Sequence, residues 1–271
     1  MKTFKSIFTA ALIVGAAAMA TAPANAAGEV ENPSRQSWSF AGPFGKFDRA
    51  QLQRGFQVYR EVCAACHTLN RVAFRNLSER GGPEFSDSQI KALAAEYRIK
   101  DFDDKGEPIE REGRAADRFP RQFVNADAAA AVHGVAPPDL SVIAKARGYS
   151  RGFPLFILDA LPGMAYQEHG VDYLAALLMG YTNPDDLNWN RYFPGHAIKM
   201  AKPLSADQVA YTDGTPTTEA QYAKDVSAFL FWAAEPKMEE RKRTGLNVML
   251  FLLVFAGLMY FTKKKIWADV H

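Results

Sequence analysis

Apolar positions at helical spacing mark the first regular element of the chain. Leu52, Phe56, Tyr59 and Val62 recur every three or four residues, so they share one face of a helix. Asp48 precedes this stripe, and aspartate is a favoured N-cap because its carboxylate accepts a hydrogen bond from a free backbone N–H. The pattern predicts a helix that begins after this aspartate and runs towards residue 66.

Three further segments show helical signals. Residues 86–89 read Ser-Asp-Ser-Gln, which has the spacing of a capping box, and an apolar stripe follows them. Residues 171–181 form an apolar helical stretch. A last helix before the C-terminal region is predicted to begin at the Thr-Pro pair of residues 215–216 and to end before Pro236. No strand-like alternation is evident, so the predicted fold class is mainly α.

The segments between these helices lack a regular period. Residues 101–118 are rich in charge and contain two glycines and a proline, so they are predicted to form a loop. Residues 134–140 contain a Pro-Pro pair, which cannot continue a helix and stiffens an extended turn. Residues 183–203 hold three prolines and few periodic positions. The fold is therefore expected to have long loops. The sequence does not indicate a role for the apolar residues 153–181.

The N-terminus has the composition of a secretory signal. Residues 1–26 combine two lysines, an apolar stretch and the small residues Ala-Asn-Ala before the predicted cleavage point. An N-terminal membrane anchor is the alternative, but the apolar run is short and ends in a cleavage-like site. Cleavage after Ala26 is predicted to place the following domain outside the cytoplasm.

A second apolar run lies near the C-terminus. Residues 246–261 carry no charge, and three basic residues stand on each side of them. The span 244–262 would be about 28 Å long at roughly 1.5 Å per residue, close to the thickness of a hydrocarbon core. A buried core helix is the alternative, but the basic residues on both sides argue against it. The prediction is a single-pass anchor.

These two ends set the expected organisation and location. The order is a signal at 1–26, a periplasmic domain at 27–240, the anchor at 244–262 and a cytoplasmic tail at 263–271 of a bacterial inner-membrane protein. The lysines after the anchor agree with the positive-inside tendency, although the outer flank is basic too.

Composition and charge narrow the class further. The apolar fraction is 48% and the charged fraction 23%, which is ordinary for a globular protein. The net charge of +2 suggests no nucleic-acid partner. Because the basic residues concentrate at the two ends, residues 27–236 carry about −4.

The two cysteines lie in one motif, Cys-Ala-Ala-Cys-His at residues 63–67, so no structural disulfide is expected. Such a pair can form a redox disulfide, bind a metal or hold a haem, and the histidine that follows favours covalent attachment of haem c. Cys63 and Cys66 lie one helical turn apart and can join the two vinyl groups of one porphyrin, while His67 ligates the iron. A zinc site lacks further cysteines, and a redox pair lacks a βαβ setting.

The opposite face of the iron needs a second ligand if the protein is an electron carrier. Methionine opposite histidine raises the reduction potential. Met179 lies in an apolar helical stretch typical of core, Met238 adjoins the membrane, and Met164 follows a Pro-Gly pair. Met200 lies in an irregular proline-flanked segment and is favoured. The candidates outside the signal and the anchor are Met164, Met179, Met200, Met238, His133, His169 and His196.

Several separate motifs together give the chain a family likeness over most of residues 38–265. It resembles the bacterial type of the cytochrome c1 family, the haem subunit of the cytochrome bc1 complex (ubiquinol–cytochrome c oxidoreductase). The ordered set is far more specific than a Cys-x-x-Cys-His motif alone. The matching segments are Cys-Ala-Ala-Cys-His at 63–67, Pro-Pro-Asp-Leu-Ser at 137–141, Tyr-Phe-Pro-Gly at 192–195, Asp-Gly-Thr-Pro at 213–216, Ala-Lys-Asp-Val at 223–226 and Phe-Trp-Ala-Ala-Glu-Pro at 231–236.

The resemblance implies a cytochrome c-like haem domain and a set of site residues. It implies that Met200 is the sixth ligand, that Arg147 pairs with a haem propionate and that Pro138 walls the haem. A solvated surface charge is the alternative for Arg147. His133 and His196 are expected to be surface or packing residues.

The resemblance also implies a function. The haem would take one electron from the Rieske iron–sulfur protein and pass it to cytochrome c, in a respiratory or photosynthetic complex that contains cytochrome b and is dimeric. The subunit would carry electrons and catalyse no bond chemistry. The acidic residues of the charged loop would attract a basic cytochrome c, or they would form only a hydrated loop. These acids are Asp101, Asp103, Asp104, Glu107, Glu110 and Glu112.

Three other classes remain open at this point. A haem subunit of a terminal oxidase would not purify with cytochrome b. A haem enzyme such as a peroxidase would leave one iron face open and bind carbon monoxide or cyanide. A purely structural subunit would still assemble after losing its haem. The sequence gives no reduction potential.

Overall fold

The computed structural model describes residues 30–149 and 169–268, and this part of the chain is mainly α-helical. The predicted signal, Met164 and the last three residues of the tail lie outside the described residues. The helices are α1 (Arg49–Val58), α2 (Asp87–Ala95), α3 (Ala126–His133), α4 (Ile143–Ala146), α5 (His169–Met179), α6 (Glu219–Ala234) and α7 (Met238–Ile266). A π-helical turn (Tyr59–Cys63), a 3₁₀ turn (Phe74–Ser78) and the strands β1 (Arg98–Phe102) and β2 (Pro108–Glu112) complete the regular elements.

The caps predicted for the first two helices are confirmed. A carboxylate oxygen of Asp48 accepts from the backbone N–H of Gln51 at 3.2 Å, and α1 begins directly after this aspartate. Ser86 and Gln89 form the predicted capping box, each side chain bonding the other's backbone N–H, and α2 follows. These signals depend only on residues close in sequence, so they can be read directly from it.

The predicted start of α6 is wrong by three residues. The helix begins at Glu219, and the Thr218 hydroxyl caps it by accepting from the N–H of Gln221 at 3.2 Å. The preceding Thr-Pro pair stays outside the helix because this segment is held by other hydrogen bonds. The N–H of Thr215 donates to Asp213 at 3.0 Å, and the carbonyl of Thr217 accepts from Asp207 at 2.9 Å.

The segment predicted as a loop at residues 101–118 contains part of a β-hairpin. β1 and β2 pair antiparallel, with Asp101 opposite Ile109. One carboxylate oxygen of Asp103 accepts from the N–H groups of Lys105 and Glu107, both at 2.8 Å, and thereby fixes the turn. The strands escaped prediction because neither has a buried face: Phe102 is 70% exposed.

The core lies where α1 and α6 pack together, with α5 against the other side of α6. Gly55 permits the closest approach, because a Cβ at this position would stand 2.1 Å from the carbonyl oxygen of Asp225 and 2.7 Å from the Cβ of Phe229. Phe56 and Tyr59 continue the same face of α1 and contact the ring of Phe229. The packing of α1 therefore fixes the position of the motif that follows it.

The helix α7 contains the predicted anchor. It extends beyond the predicted span 244–262 in both directions and is long and apolar enough to cross a membrane, with none of its most apolar part buried. Met238, its first residue, is completely buried in the domain. The anchor is thus a continuous extension of a helix that begins inside the domain, as expected for a single-pass membrane anchor.

Candidate haem-binding site

A change of helix type places the two cysteines. The π-helical turn Tyr59–Cys63 closes with the N–H of Ala64 donating to the carbonyl of Tyr59 at 2.8 Å. The N–H groups of Cys66 and His67 then donate to the carbonyl of Cys63, at 3.2 and 2.9 Å. Such π-turns occur mostly within α-helices and often at functional sites. The backbone of the predicted attachment residues therefore turns around the carbonyl of Cys63.

The ring of His67 is oriented by one hydrogen bond. Its Nδ1 lies 2.8 Å from the carbonyl oxygen of Pro138. Because a carbonyl only accepts, Nδ1 carries the proton and Nε2 is left with its lone pair. Burial lowers the pKa of His67, although the bond to Pro138 opposes the shift. The imidazole is therefore neutral, and its Nε2 is available to ligate a metal ion.

The two thiols also fit covalent attachment of a haem. Both cysteines are half-buried and unpaired, and burial raises the pKa of Cys63 to about 12. The environment of Cys63 therefore disfavours a thiolate, whereas a thioether bond to a vinyl group carries no charge. Among residues 30–149 and 169–268, no group of three His, Cys, Asp or Glu side chains that could hold a metal ion is found.

Hydrogen bonds of Asp139 connect the Pro-Pro segment at 137–138 to the residues that follow the attachment turn. Its carboxylate accepts from the Thr68 hydroxyl at 2.6 Å, from the Asn70 N–H at 2.9 Å and from the Ser141 N–H at 3.0 Å. Burial alone would raise the pKa of Asp139, but these hydrogen bonds outweigh it and lower the pKa. The carbonyl that orients the histidine is thus held in place by a side chain that sequence reasoning missed.

Met200 lies in the segment predicted as irregular, and no helix or strand is found in residues 183–203. The side chain of Met200 is half-buried, and its carbonyl accepts from the Tyr181 hydroxyl at 2.9 Å. The fully buried Asn190 organises the same segment by donating to the Leu177 carbonyl at 2.8 Å and accepting from the Tyr192 N–H at 3.1 Å. The backbone of the predicted methionine ligand is therefore fixed against the end of α5. Neither Tyr181 nor Asn190 was singled out from the sequence.

Arg147 caps the C-terminal end of α4 and lines a cavity of about 380 Å³. Tyr192 and Phe193, from the segment that leads to Met200, line the same cavity, together with Tyr173. His67 and Pro138 do not line it. The structure therefore brings Arg147 close to the segment before the methionine, and pairing with a propionate stays a prediction.

The other candidate ligands have packing contacts. His133 packs edge-on against Phe123 with ring centroids 5.3 Å apart, and His196 stacks on Trp189 at 5.1 Å. His169 bonds the carbonyl of Tyr149 at 3.0 Å. The expectation that Met179 is a core residue is wrong, because it ends α5 and is 39% exposed.

The chain is similar to several known proteins. Residues 38–270 match the model of the cytochrome C1 family. A cytochrome b/c1 of Bradyrhizobium diazoefficiens is 58% identical over 89% of the chain, which spans about a third of that protein (36%). A cytochrome c1 of Blastochloris viridis is 49% identical over 99% of the chain and 98% of that protein.

A third relative is also a cytochrome c1. A cytochrome c1 of Rhodospirillum rubrum is 46% identical over 87% of the chain and 88% of that protein. The family match covers the attachment motif, the prolines, the methionine segment and the anchor alike. The chain therefore belongs to the cytochrome c1 family, and it is an electron-transport protein that carries one covalently attached haem c.

Proposed function

We propose that Cys63 and Cys66 attach the haem and that His67 and Met200 ligate its iron from opposite faces. The observation that carries this is the hydrogen bond between Nδ1 of His67 and the carbonyl of Pro138, which leaves Nε2 free for iron. The haem supplies a reversible one-electron change, and methionine–histidine ligation favours a high reduction potential. The chain's own residues orient the imidazole and hold the two flanking segments.

Pro138 and Arg147 have supporting roles in this proposal. Pro138 holds the ring nitrogen of the histidine and forms part of the haem wall. Arg147 offers a planar guanidinium that suits a carboxylate such as a haem propionate. Its place beside the tyrosines of the 380 Å³ cavity supports this assignment.

The chain is proposed to work in a cytochrome bc1 complex beside cytochrome b and the Rieske iron–sulfur protein. It takes one electron from the Rieske protein and passes it to cytochrome c. A relative whose name joins b and c1, and of which this chain matches about a third, supports cytochrome b as a neighbour. The dimeric state of the complex is proposed from the family likeness alone.

The location follows from the two ends of the chain. The haem domain is proposed to lie in the periplasm and the lysine-rich tail in the cytoplasm. The predicted signal and the basic residues that follow the anchor support this orientation.

The hairpin is proposed to contact cytochrome c through fewer of its acidic residues than the sequence alone predicts. Asp101 pairs with Arg111 at 2.6 Å, and Asp103 fixes the turn, so both have structural roles. Glu112 pairs with Arg98 at 3.8 Å. Asp104, Glu107 and Glu110 are therefore the exposed acids that remain to steer a basic partner. Steering of this kind acts mainly on the association rate.

Co-purification followed by rapid kinetics tests the proposed function. The solubilised complex is isolated through a tag on the C-terminal tail, and its haem c reduction by a quinol is followed by stopped-flow absorbance. Cytochrome b and the Rieske protein should co-purify, and haem c reduction should stop when the Rieske protein is removed. Isolation without cytochrome b would favour a different membrane cytochrome. Native binding of carbon monoxide would favour a haem enzyme.

A further inference from the structure

A second cavity, of about 780 Å³, lies where α7 leaves the domain. It is lined by residues 43–46, by residues 79–81 and by the first turns of α7 as far as Leu246. It is separate from the haem-binding residues, since none of the predicted ligands lines it.

The lining is predominantly cationic. Its five basic residues face three carboxylates, and some of these groups already have partners. Lys237 pairs with Glu79 at 3.1 Å, and Glu239 pairs with Arg49 from outside the cavity. The basic side chains of the lining are Lys46, Arg80, Lys237, Lys242 and Arg243.

Three of these cations are exposed and have no bound carboxylate. Lys46, Arg80 and Arg243 form no ion pair within 4.0 Å with any carboxylate of the residues that the structure describes. Lys242 differs from them, because its ammonium donates to the carbonyl of Phe40 at 2.6 Å. The third carboxylate of the lining, Glu240, is exposed and forms no ion pair within the described residues. The cavity therefore presents three cations against one carboxylate and remains net cationic, which suits an anion.

The depth of the cavity matches a lipid headgroup. At roughly 1.5 Å per residue, Arg243 stands about 4.5 Å along the helix axis from Leu246, where the apolar span begins. The headgroup layer on each side of a bilayer is roughly 5–7 Å thick. Arg243 thus lies at headgroup level when the span is in the hydrocarbon, and Lys46 and Arg80 line the same cavity.

The apolar part of the lining suits acyl chains. Phe44 is 74% exposed and Leu246 is 43% exposed, and both line the cavity. An exposed apolar side chain loses its contact with water when it packs against hydrocarbon. A ligand with a phosphate next to hydrocarbon chains matches both halves of the cavity.

We propose that this cavity binds the headgroup of an anionic phospholipid from the membrane leaflet next to the haem domain. Lys46, Arg80 and Arg243 contact the phosphate, and Phe44 and Leu246 contact the upper acyl chain. The bound lipid fills the gap between the domain and the anchor.

The test uses the full-length, haem-loaded chain in phosphatidylcholine vesicles that contain a small fraction of spin-labelled phosphatidylglycerol or spin-labelled phosphatidylcholine. Electron paramagnetic resonance gives the fraction of each lipid immobilised by the protein. The wild type should prefer phosphatidylglycerol by about threefold or more, as expected for several cations at an anionic headgroup. Equal immobilisation of the two lipids would overturn the proposal.

Matched variants separate the cavity from general surface charge. The K46Q/R80Q/R243Q variant should lose most of the preference. The K91Q/K100Q/K105Q variant removes three exposed lysines far from the anchor in sequence and should keep it. A similar loss in both variants, or none in the first, would contradict the proposal. The preference should persist in the assembled complex, and its disappearance there would show that a partner subunit fills the cavity instead.

Discussion

At the scale of single residues, the site depends on a short chain of hydrogen bonds. Asp139 holds Thr68 and Asn70, and the adjacent Pro138 carbonyl holds the ring of His67. The carboxylate needs both oxygens for this, because one accepts from Thr68 and Asn70 and the other from the N–H of Ser141. The histidine orientation is therefore only as stable as this carboxylate's contacts.

Replacing Asp139 with Asn should weaken the domain by roughly 1–3 kcal/mol, since an amide can accept at only one oxygen and leaves a donor unpaired. Urea unfolding of the haem-loaded protein measures this. The exposed Asp87→Asn is the matched control and should change the free energy of unfolding by less than about 0.5 kcal/mol. Equal stability of the two variants would contradict the proposed role of the carboxylate.

The same carboxylate predicts a pH dependence. Its pKa is lower in the folded protein than the usual value of about 3.9. Its contribution to stability is thus complete above that value and is lost as the pH falls through the folded pKa. Unfolding curves from pH 6 to pH 2.5 should show a smaller acid-side loss of stability in the Asp139→Asn variant. Parallel curves for the two proteins would contradict this assignment.

At the scale of elements, the close contact of α1 with α6 positions the attachment turn. Gly55 lies at this contact, and the π-helical turn that ends at Cys63 continues directly from α1. A shift of α1 along α6 would move both cysteines relative to the prolines. The contact is therefore expected to affect haem attachment as well as stability.

Gly55→Ala should destabilise the domain by roughly 1–3 kcal/mol through overpacking and should reduce the yield of haem-loaded protein. Gly245→Ala is the control, because it makes the same change in a helix where nothing lies within 4 Å of the new Cβ. Haem staining and urea unfolding report the two effects. Unchanged haem staining and an unchanged free energy of unfolding in Gly55→Ala would mean that α1 and α6 can separate at little cost.

Local signals explain which elements could be predicted. The caps of α1 and α2 use residues three apart, and the haem motif occupies five consecutive residues, so both are legible in the sequence. The predicted start of α6 is wrong because a turn at Asp213 and the contact of Thr217 with Asp207 hold this segment outside the helix. The hairpin has no buried face to produce alternation. Asp139 lies in the matching segment 137–141, but its bonds to Thr68 and Asn70 join residues far apart in the chain, so its role has no local signal. Asn190 bonds backbone groups, which likewise leaves no pattern in the sequence.

At the scale of the whole molecule, charge and membrane anchoring set the encounter with partners. The anchor α7 begins in the core at Met238 and extends out of the domain without a break. The soluble part is acidic overall, while the basic residues gather at the membrane end. This separation favours the approach of a basic electron acceptor to the domain.

Neutralising Asp104, Glu107 and Glu110 to their amides should lower the second-order rate of electron transfer to a basic cytochrome c several-fold at low ionic strength and flatten its salt dependence. Stopped-flow measurements from about 20 to 300 mM salt test this. Amide substitution of the exposed Asp87, Asp185 and Asp186 is the control and should leave the rate nearly unchanged. An equal effect of both triple variants would mean that net charge alone matters and that the hairpin is not the docking surface.

The central claim is that Met200 ligates the iron opposite His67, and the Met200→Leu variant tests it most directly. We expect its haem c to lose the methionine–iron charge-transfer band, to bind carbon monoxide and to show a reduction potential lower by more than about 100 mV, because axial ligands set the potential of haem proteins. Met179→Leu is the control and should keep the wild-type spectrum. An unchanged spectrum and potential in Met200→Leu would contradict the account and make Met164 the next candidate for the ligand.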